Sequence, residues 1–178
     1  AAPSSQRSGK ISLVQPETSR ALTLKEPPVA RAEMTVRRPV REVFQAFVDP
    51  TVTTRFWFSR SSGRLEAGKR VRWDWEWYGA STDVDVREVV ENERILIEWD
   101  EGVTVEWTFE SRAAGETHVT VSSHGFKGDG DEAVRAAIDS TQGFTIVLCG
   151  LKALLEHGIE LGLVPDKAPY AHVGPTSG

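Results

Sequence analysis

Between residues 71 and 121, apolar and polar side chains alternate with a period of two, interrupted by short turn sequences. Because successive side chains of a strand point to opposite faces of a sheet, this pattern predicts an antiparallel meander. One face of that sheet is predicted to be apolar and aromatic, and the other to be charged and in contact with water. The apolar face begins with Val71, Trp73, Trp75 and Trp77, and the predicted turns lie at Gly79-Ala80, Asn92, Glu101-Gly102 and Ala114-Gly115.

One strand and two helices are predicted before the meander. Residues 32–38 alternate in polarity, which predicts a first strand. Pro39 suits the first turn of a helix, where its missing N–H has no partner to lose, and residues 40–48 then carry apolar side chains at helical spacing. A second short helix is expected from Pro50 to about Phe56. The aromatic cluster at 56–58 is expected to be at least partly buried.

Residues 131–157 have the spacing of a long helix packed on a sheet. Apolar side chains recur there at intervals of three or four and form one stripe of Val134, Ile138, Thr141, Phe144, Leu148, Leu151 and Leu155. Gly158, Gly162 and Pro165 act as stop signals. At 1.5 Å per residue this helix is roughly 40 Å long, enough to cross a whole sheet.

The predicted organisation is one α+β domain over residues 31–164, with a flexible tail at each end. Residues 1–30 are rich in Ser, Pro and Ala and sustain no period, although residues 11–13 and 22–24 could add a short strand. Residues 165–178 are also predicted to be a flexible tail without regular structure. The fold class is a curved antiparallel sheet wrapped around a long C-terminal helix.

Composition excludes several classes of function. The chain has 178 residues and a net charge of −5, with no concentrated basic face for nucleic acid. The single cysteine, Cys149, excludes an intrachain disulfide framework and favours a reducing compartment. No run of about eighteen apolar residues and no secretory signal is seen, so we expect a cytoplasmic protein without a membrane partner.

The order strand, two helices, meander and long helix resembles the helix-grip fold of START-like (SRPBCC) proteins, in the branch of the activator of heat shock protein 90 ATPase homologues. The resemblance rests on VRRPVREVFQAFV at 36–48, Phe56-Trp57, VREVVENERILIEW at 86–99, residues 103–126, and Gly143-Phe144 before the helix leucines. The family usually has Gly-Trp at the last of these positions and a glycine near Val84, which this chain lacks. The resemblance implies a cavity between sheet and helix, which in relatives holds apolar or amphipathic small molecules.

Two other functions are compatible with the resemblance. One is a chaperone-associated interaction protein of the stress response, which would use its surface on a chaperone or another protein. The other is an enzyme like the polyketide cyclases or hydrolases of the superfamily. A filled aromatic core would favour the interaction protein, whereas a carboxylate beside a histidine inside a cavity would favour the enzyme.

The aromatic sheet face is the candidate binding site. Its indoles either pack as core against the helix stripe or line a cavity for an apolar or amphipathic ligand. On the second interpretation we expect the ligand-binding residues to be Trp57, Trp73, Trp75, Trp99, Trp107, His124, Phe144 and Leu148.

No catalytic residue, metal site or cofactor is predicted. His118 and His157 are expected on the surface, whereas His124 ends the last strand and could face the cavity mouth. No histidine pair has the spacing of metal ligands, and Cys149 is interpreted as a small core residue. An enzyme would need a bulge to turn inward one of the carboxylates that strand parity places outside: Asp83, Asp85, Glu98, Glu106 and Glu110.

Overall fold

Seven strands form one curved sheet in which every neighbouring pair is antiparallel. The computed structural model describes residues 20–99 and 102–174. In chain order the strands β1 to β7 are Ala30–Val36, Arg60–Ser61, Arg70–Trp75, Ala80–Val90, Arg94–Trp99, Val103–Arg112 and Glu116–His124. Their spatial order is β1-β7-β6-β5-β4-β3-β2, so β3 to β7 form the predicted meander and β1 returns beside β7.

In the part of the chain that the structure describes, four α-helices accompany the sheet. Helices α1 and α2 are Val40–Val48 and Pro50–Thr53, α3 is Gly130–His157, and α4 is Leu163–Asp166. This architecture confirms the predicted α+β helix-grip class. Helix α2 ends earlier than expected, and short-range backbone hydrogen bonds then continue the turn to Trp57. Within the described residues, 22–24 form no strand; residues 11–13 lie outside the described part of the chain.

The inner face of the sheet carries the core, as the alternation predicts. Val84, Ile95 and Val119 are fully buried there. The five carboxylates expected outside do lie on the outer face, where each pairs with an arginine: Asp83 and Asp85 with Arg70, Glu98 with Arg87, Glu106 with Arg94, and Glu110 with Arg112. A bulge between Val86 and Glu88 shifts the register of β4 against β5, but Glu88 remains outside beside Arg94.

Strand β3 ends two residues before the alternating pattern does. After Trp75 the chain forms a 3-10 turn over Glu76–Tyr78, which Gly79 closes in the left-handed conformation at φ 60°. The prediction that Trp77 continues the aromatic row is therefore wrong, because strand parity does not extend through a helical turn. Tyr78, the last residue of this turn, is partly buried against the core.

Helix α3 has a reciprocal cap at its start. The Asp129 side chain accepts a hydrogen bond from the Glu132 N–H, and the Glu132 carboxylate accepts one from the Asp129 N–H, both at 2.9 Å. Phe144, Leu148 and Leu151 are buried, as predicted. By length and composition α3 could also cross a membrane, but here one side of it packs against the sheet as in a core helix.

The first half of α3 is rotated relative to the predicted stripe. Ala133 and Ala137 are buried, whereas Ile138 is 65% exposed and Val134 is only half-buried. Alanine is only weakly hydrophobic, so the predicted stripe contained the larger neighbouring residues Val134 and Ile138 instead of Ala133 and Ala137. The helix therefore presents a surface with small side chains at this end of the sheet.

Residues after α3 are more ordered than the sequence predicts. Beyond α4, residues Pro169–Ala171 form a 3-10 turn, and the Val173 N–H donates a hydrogen bond to the Trp77 carbonyl at 2.9 Å. The expectation of no regular structure after Asp166 is wrong for these residues. These residues have no periodic pattern of apolar positions, and several of their contacts are made by backbone groups.

Candidate functional site

A cleft of about 580 Å³ lies between the sheet and the middle of α3. Aromatic side chains near the ends of β3 and β5 form its floor, and α3 forms one wall through residues 139–147. The segment that follows α3 forms the opposite wall through Val164, Lys167, Ala168 and Ala171. The volume is in the usual range for small-molecule sites, which is about 300 to 1,000 Å³.

The floor is a cluster of rings in contact with one another. The Trp99 and Phe144 rings are stacked at an interplanar angle of 14° with centroids 6.1 Å apart. Trp57 meets both rings edge-on at 6.2 Å and meets Trp75 at 6.4 Å. Each such contact contributes about 0.5 to 1.5 kcal/mol beyond burial, so the floor is held in place without a ligand.

The structure brings together four of the residues predicted for the site, Trp57, Trp75, Trp99 and Phe144. Trp73, Trp107 and Leu148 are not among the pocket residues; they lie beneath the floor and are at most 1% exposed. Trp73 stacks on Phe58 with centroids 4.7 Å apart, which places it in the packed core. Strand parity shows which face of the sheet a side chain is on, but not how deeply it is buried. The prediction therefore assigned pocket-lining residues and core residues to one site.

His124 lies away from the pocket. The inward residues of β7 are Thr117, Val119, Val121 and Ser123, so His124 points to the outer face, where it is exposed. The expectation that His124 faces the cavity mouth is therefore wrong. None of the four histidines, all of which are described, borders the pocket.

Gly143 leaves space in the wall formed by α3. A β-carbon built at this position has no heavy atom within 4 Å, and the backbone is helical. Any larger side chain here would project into the cleft, since Gly143 is one of its lining residues. The sequence contains Gly143-Phe144 as part of a family motif but does not reveal that the glycine opens a cavity.

The rim of the pocket carries charge. Asp139 and Ser140 reach it from α3, and Lys167 reaches it from the segment after α3. In the part of the chain that the structure describes, the side chains of Asp139 and Lys167 form no ion pair or hydrogen bond. These two charges of opposite sign are therefore available to a ligand. Neither residue is predicted by the sequence, because Asp139 lies outside the apolar stripe of the helix and Lys167 belongs to no periodic pattern.

Tyr78 fixes the wall opposite α3. Its hydroxyl lies close to the carbonyl of Val164, to which it donates, and 3.1 Å from that of Pro165. Burial raises the pKa of Tyr78 above its ordinary value of 10.0, so the hydroxyl is a protonated donor well beyond neutral pH. This contact and the burial of Val164 hold residues 163–166 beside the pocket.

Within the described ranges, 20–99 and 102–174, no group of three or more His, Cys, Asp or Glu side chains is placed to hold a metal ion. Cys149 is a free, half-buried thiol on α3 and does not border the pocket. The chemistry that this site offers is therefore apolar and aromatic contact together with two charges at the rim.

Comparison with known proteins gives one family match and many structural matches. The family described as Activator of Hsp90 ATPase homolog 1-like protein matches residues 37–156. No curated protein matches significantly. A protein from Staphylococcus saprophyticus with a crystal structure has 33% sequence identity to this chain. The match has a TM-score of 0.67 and covers 75% of this chain and 96% of that protein.

Two further structures are more distant. DynU16, encoded in the dynemicin biosynthetic locus, is 26% identical with a TM-score of 0.64, over 74% of this chain and 48% of its own. The solution structure of the Aha1 dimer from Colwellia psychrerythraea has the same TM-score and is 16% identical, over 74% of this chain and 98% of its own. At 16% identity, the similarity to the Aha1 dimer shows only a shared fold.

Proposed function

The chain belongs to the Activator of Hsp90 ATPase homolog 1-like family of START-like proteins, and on this premise we propose that it binds an apolar or amphipathic small molecule between α3 and the sheet. The observation that carries the proposal is a preformed cleft of about 580 Å³ with an aromatic floor and two unpaired charges at its rim. Such a combination of apolar walls and a few polar groups is typical of small-molecule sites.

The surfaces of the cleft indicate how a ligand would lie in it. A flat apolar body would cover the rings of Trp57, Trp99 and Phe144, since these rings are in place before binding. Its polar end would lie at the rim, within reach of Asp139 and Lys167. Burying a polar group among the indoles would be unfavourable without a partner, which favours this orientation.

The two alternative functions receive less support. A chaperone-associated interaction protein would need no cleft, and the likeness to the Aha1 dimer concerns the fold alone. An enzyme of the polyketide cyclase or hydrolase type would be expected to place an acid and a base in the cavity. The pocket is bordered by Asp139 and Lys167 but by no histidine, so the carboxylate–histidine pair that would favour such an enzyme is not formed there. A cytoplasmic location and a role in the stress response stay predictions from the sequence.

Binding of 1-anilinonaphthalene-8-sulfonate, an anionic aromatic probe, tests the proposal. We expect saturable binding by the natural chain, with quenching of tryptophan emission. Gly143→Leu should weaken this binding by about tenfold or more, since the leucine side chain fills the cleft. Its melting temperature should not fall, because glycine is a poor helix residue.

Gly63→Leu is the matched control. A β-carbon at Gly63 also meets no atom within 4 Å, and this loop glycine does not border the cleft, so binding should be unchanged. Equal binding by Gly143→Leu and the natural chain would place the probe elsewhere and reject the proposed site. Absence of saturable binding by the natural chain, for this probe and for a panel of aromatic and alkyl amphiphiles, would also reject it.

A further inference from the structure

The pocket extends beyond the part of the chain that matches the family. That match ends at residue 156, yet Val164, Lys167, Ala168 and Ala171 form one wall of the cleft. This wall therefore lies outside the residues that match the family model.

Two glycines separate the added wall from α3. Gly158 and Gly162 both adopt left-handed backbone, at φ 67° and 64°, a conformation that glycine adopts without steric cost. Gly158 ends α3, and the residues between the two glycines are exposed. Their one ion pair within the described ranges joins Glu160 to Arg55, and both side chains are about half exposed. Such an exposed and sparsely packed segment is suited to act as a hinge.

The added wall packs against the domain through the buried side chain of Val164 and a ring contact between Tyr78 and His172, and a few hydrogen bonds add to these. The Tyr78 hydroxyl binds the carbonyls of Val164 and Pro165, and the Val173 N–H binds the Trp77 carbonyl. His172 Nε2 donates to the Pro165 carbonyl at 2.7 Å, which joins the two ends of the segment. Two of these contacts connect the segment to the 3-10 turn, and the one from Tyr78 is the one made by a side chain that also borders the pocket.

Val164 lies between two cavities. It is 9% exposed and, together with Trp57, borders both the main cleft and a second cavity of about 220 Å³. The hinge residues 160–162 border the second cavity as well. Displacement of the segment would remove Val164 from between them, so the two spaces would join and open to solvent.

We propose that residues 163–173 form a strap that closes the pocket over its ligand and controls the exchange of that ligand with solvent. The inference rests on the proposed function. Closure requires the Tyr78 contact, and opening occurs by rotation at residues 158–162. Because Lys167 is part of the strap, a ligand with an anionic or hydrogen-bond-accepting end would also stabilise the closed form.

Stopped-flow release of 1-anilinonaphthalene-8-sulfonate tests the strap. Tyr78→Phe retains the ring and removes the hydroxyl, so the dissociation rate should rise about fivefold. Tyr170→Phe is the matched control on the same segment. The Tyr170 side chain is 90% exposed and forms no hydrogen bond within the described residues, so the rate should not change.

The outcomes separate this inference from the proposed function. If Gly143→Leu abolishes probe binding while Tyr78→Phe releases the probe at the natural rate, the pocket stands and the strap is rejected. If Gly143→Leu has no effect, the proposed site itself fails.

Hydrogen exchange on the natural chain gives a second measurement that needs no variant. Bound probe should slow exchange of the Asp166 and Val173 amides, and equal exchange with and without probe would overturn the inference.

Discussion

Trp99 and Phe144 stack at 14° with their ring centroids 6.1 Å apart, and this pair joins strand β5 to helix α3 at the floor of the pocket. Trp73 lies 5.9 Å from Trp99, perpendicular to it, and is 1% exposed. The two indoles are thus in contact but differ in depth. One belongs to the surface of the cleft and the other to the core beneath it.

This difference predicts different outcomes for two alanine variants. Trp73→Ala should lower the free energy of unfolding by about 3 to 5 kcal/mol, because it leaves a cavity in the core. Trp99→Ala should lower it less and should weaken binding of the anilinonaphthalene probe by about tenfold. Urea unfolding and probe titration measure the two effects. The assignment of Trp73 to the core and Trp99 to the pocket surface is wrong if both variants lose the same free energy of unfolding and Trp99→Ala binds the probe with the natural affinity.

Two glycines of α3 should respond differently to alanine. Gly143→Ala should raise the free energy of unfolding by about 0.5 to 1 kcal/mol, because alanine is the better helix residue and its methyl group meets open space. At Gly150 the new β-carbon would lie 3.3 Å from Cβ of Phe56. Gly150→Ala should therefore be less stable than Gly143→Ala by about 1 kcal/mol or more. Equal urea midpoints for the two variants would contradict this.

The stability of the fold should fall on acidification through Glu156. Burial disfavours its charge, but hydrogen bonds from Lys152 Nζ and from the Arg37 N–H lower the pKa of Glu156 below the ordinary value of 4.5. A lowered pKa means that the charged form stabilises the fold above pH 4.5, and that this contribution is lost as the pH falls through the lower pKa of the folded state.

Glu156→Gln should accordingly be less stable at neutral pH and should lose less stability between about pH 5 and about pH 3. Urea unfolding across this range measures both effects. Glu110→Gln is a suitable control, because the Glu110 side chain is 67% exposed and its variant should follow the natural curve. A Glu156→Gln curve parallel to the natural one would show that Glu156 is not the source of the acid sensitivity.

Two hydroxyls on the inner face of β7 should have opposite effects when removed. Ser123 is fully buried and its Oγ has no hydrogen-bond partner among the described residues, so Ser123→Ala should stabilise the protein by about 1 kcal/mol. Thr117 is equally buried, but its Oγ1 donates to the Arg38 carbonyl at 2.8 Å. Thr117→Val should cost about 1 kcal/mol. Thermal unfolding compares them, and a loss of stability in Ser123→Ala would point to an unseen partner such as a buried water.

The meander could be predicted because its determinants are local. Val119 and Val121 face inward because alternate residues of one strand must do so, and Asn92 turns the chain with a φ of 62°. The position of Trp77 could not be predicted from local determinants. Its place in the alternation suggested a strand, whereas the 3-10 turn depends on Gly79 and on contacts with residues nearly a hundred positions away.

The site was predictable only in part, for a related reason. Trp57, Trp75 and Phe144 could be assigned to it from aromatic character and face. The strap could not, because it is attached by a tyrosine hydroxyl and backbone carbonyls, which leave no periodic pattern. Lys167 and Ala168 lie in a stretch whose composition is typical of a tail.

The crowding of rings around Trp57 affects any optical study of this protein. Its centroid lies between 4.9 and 6.4 Å from those of Trp73, Trp75, Trp99 and Trp107. Chromophores at such separations share excitation, so near-ultraviolet absorption and circular dichroism will report the group rather than one indole. A molecule that touches Trp75 alone will alter the combined spectrum. The spectrum can therefore detect an occupant but cannot locate it, and location will require tryptophans replaced one at a time.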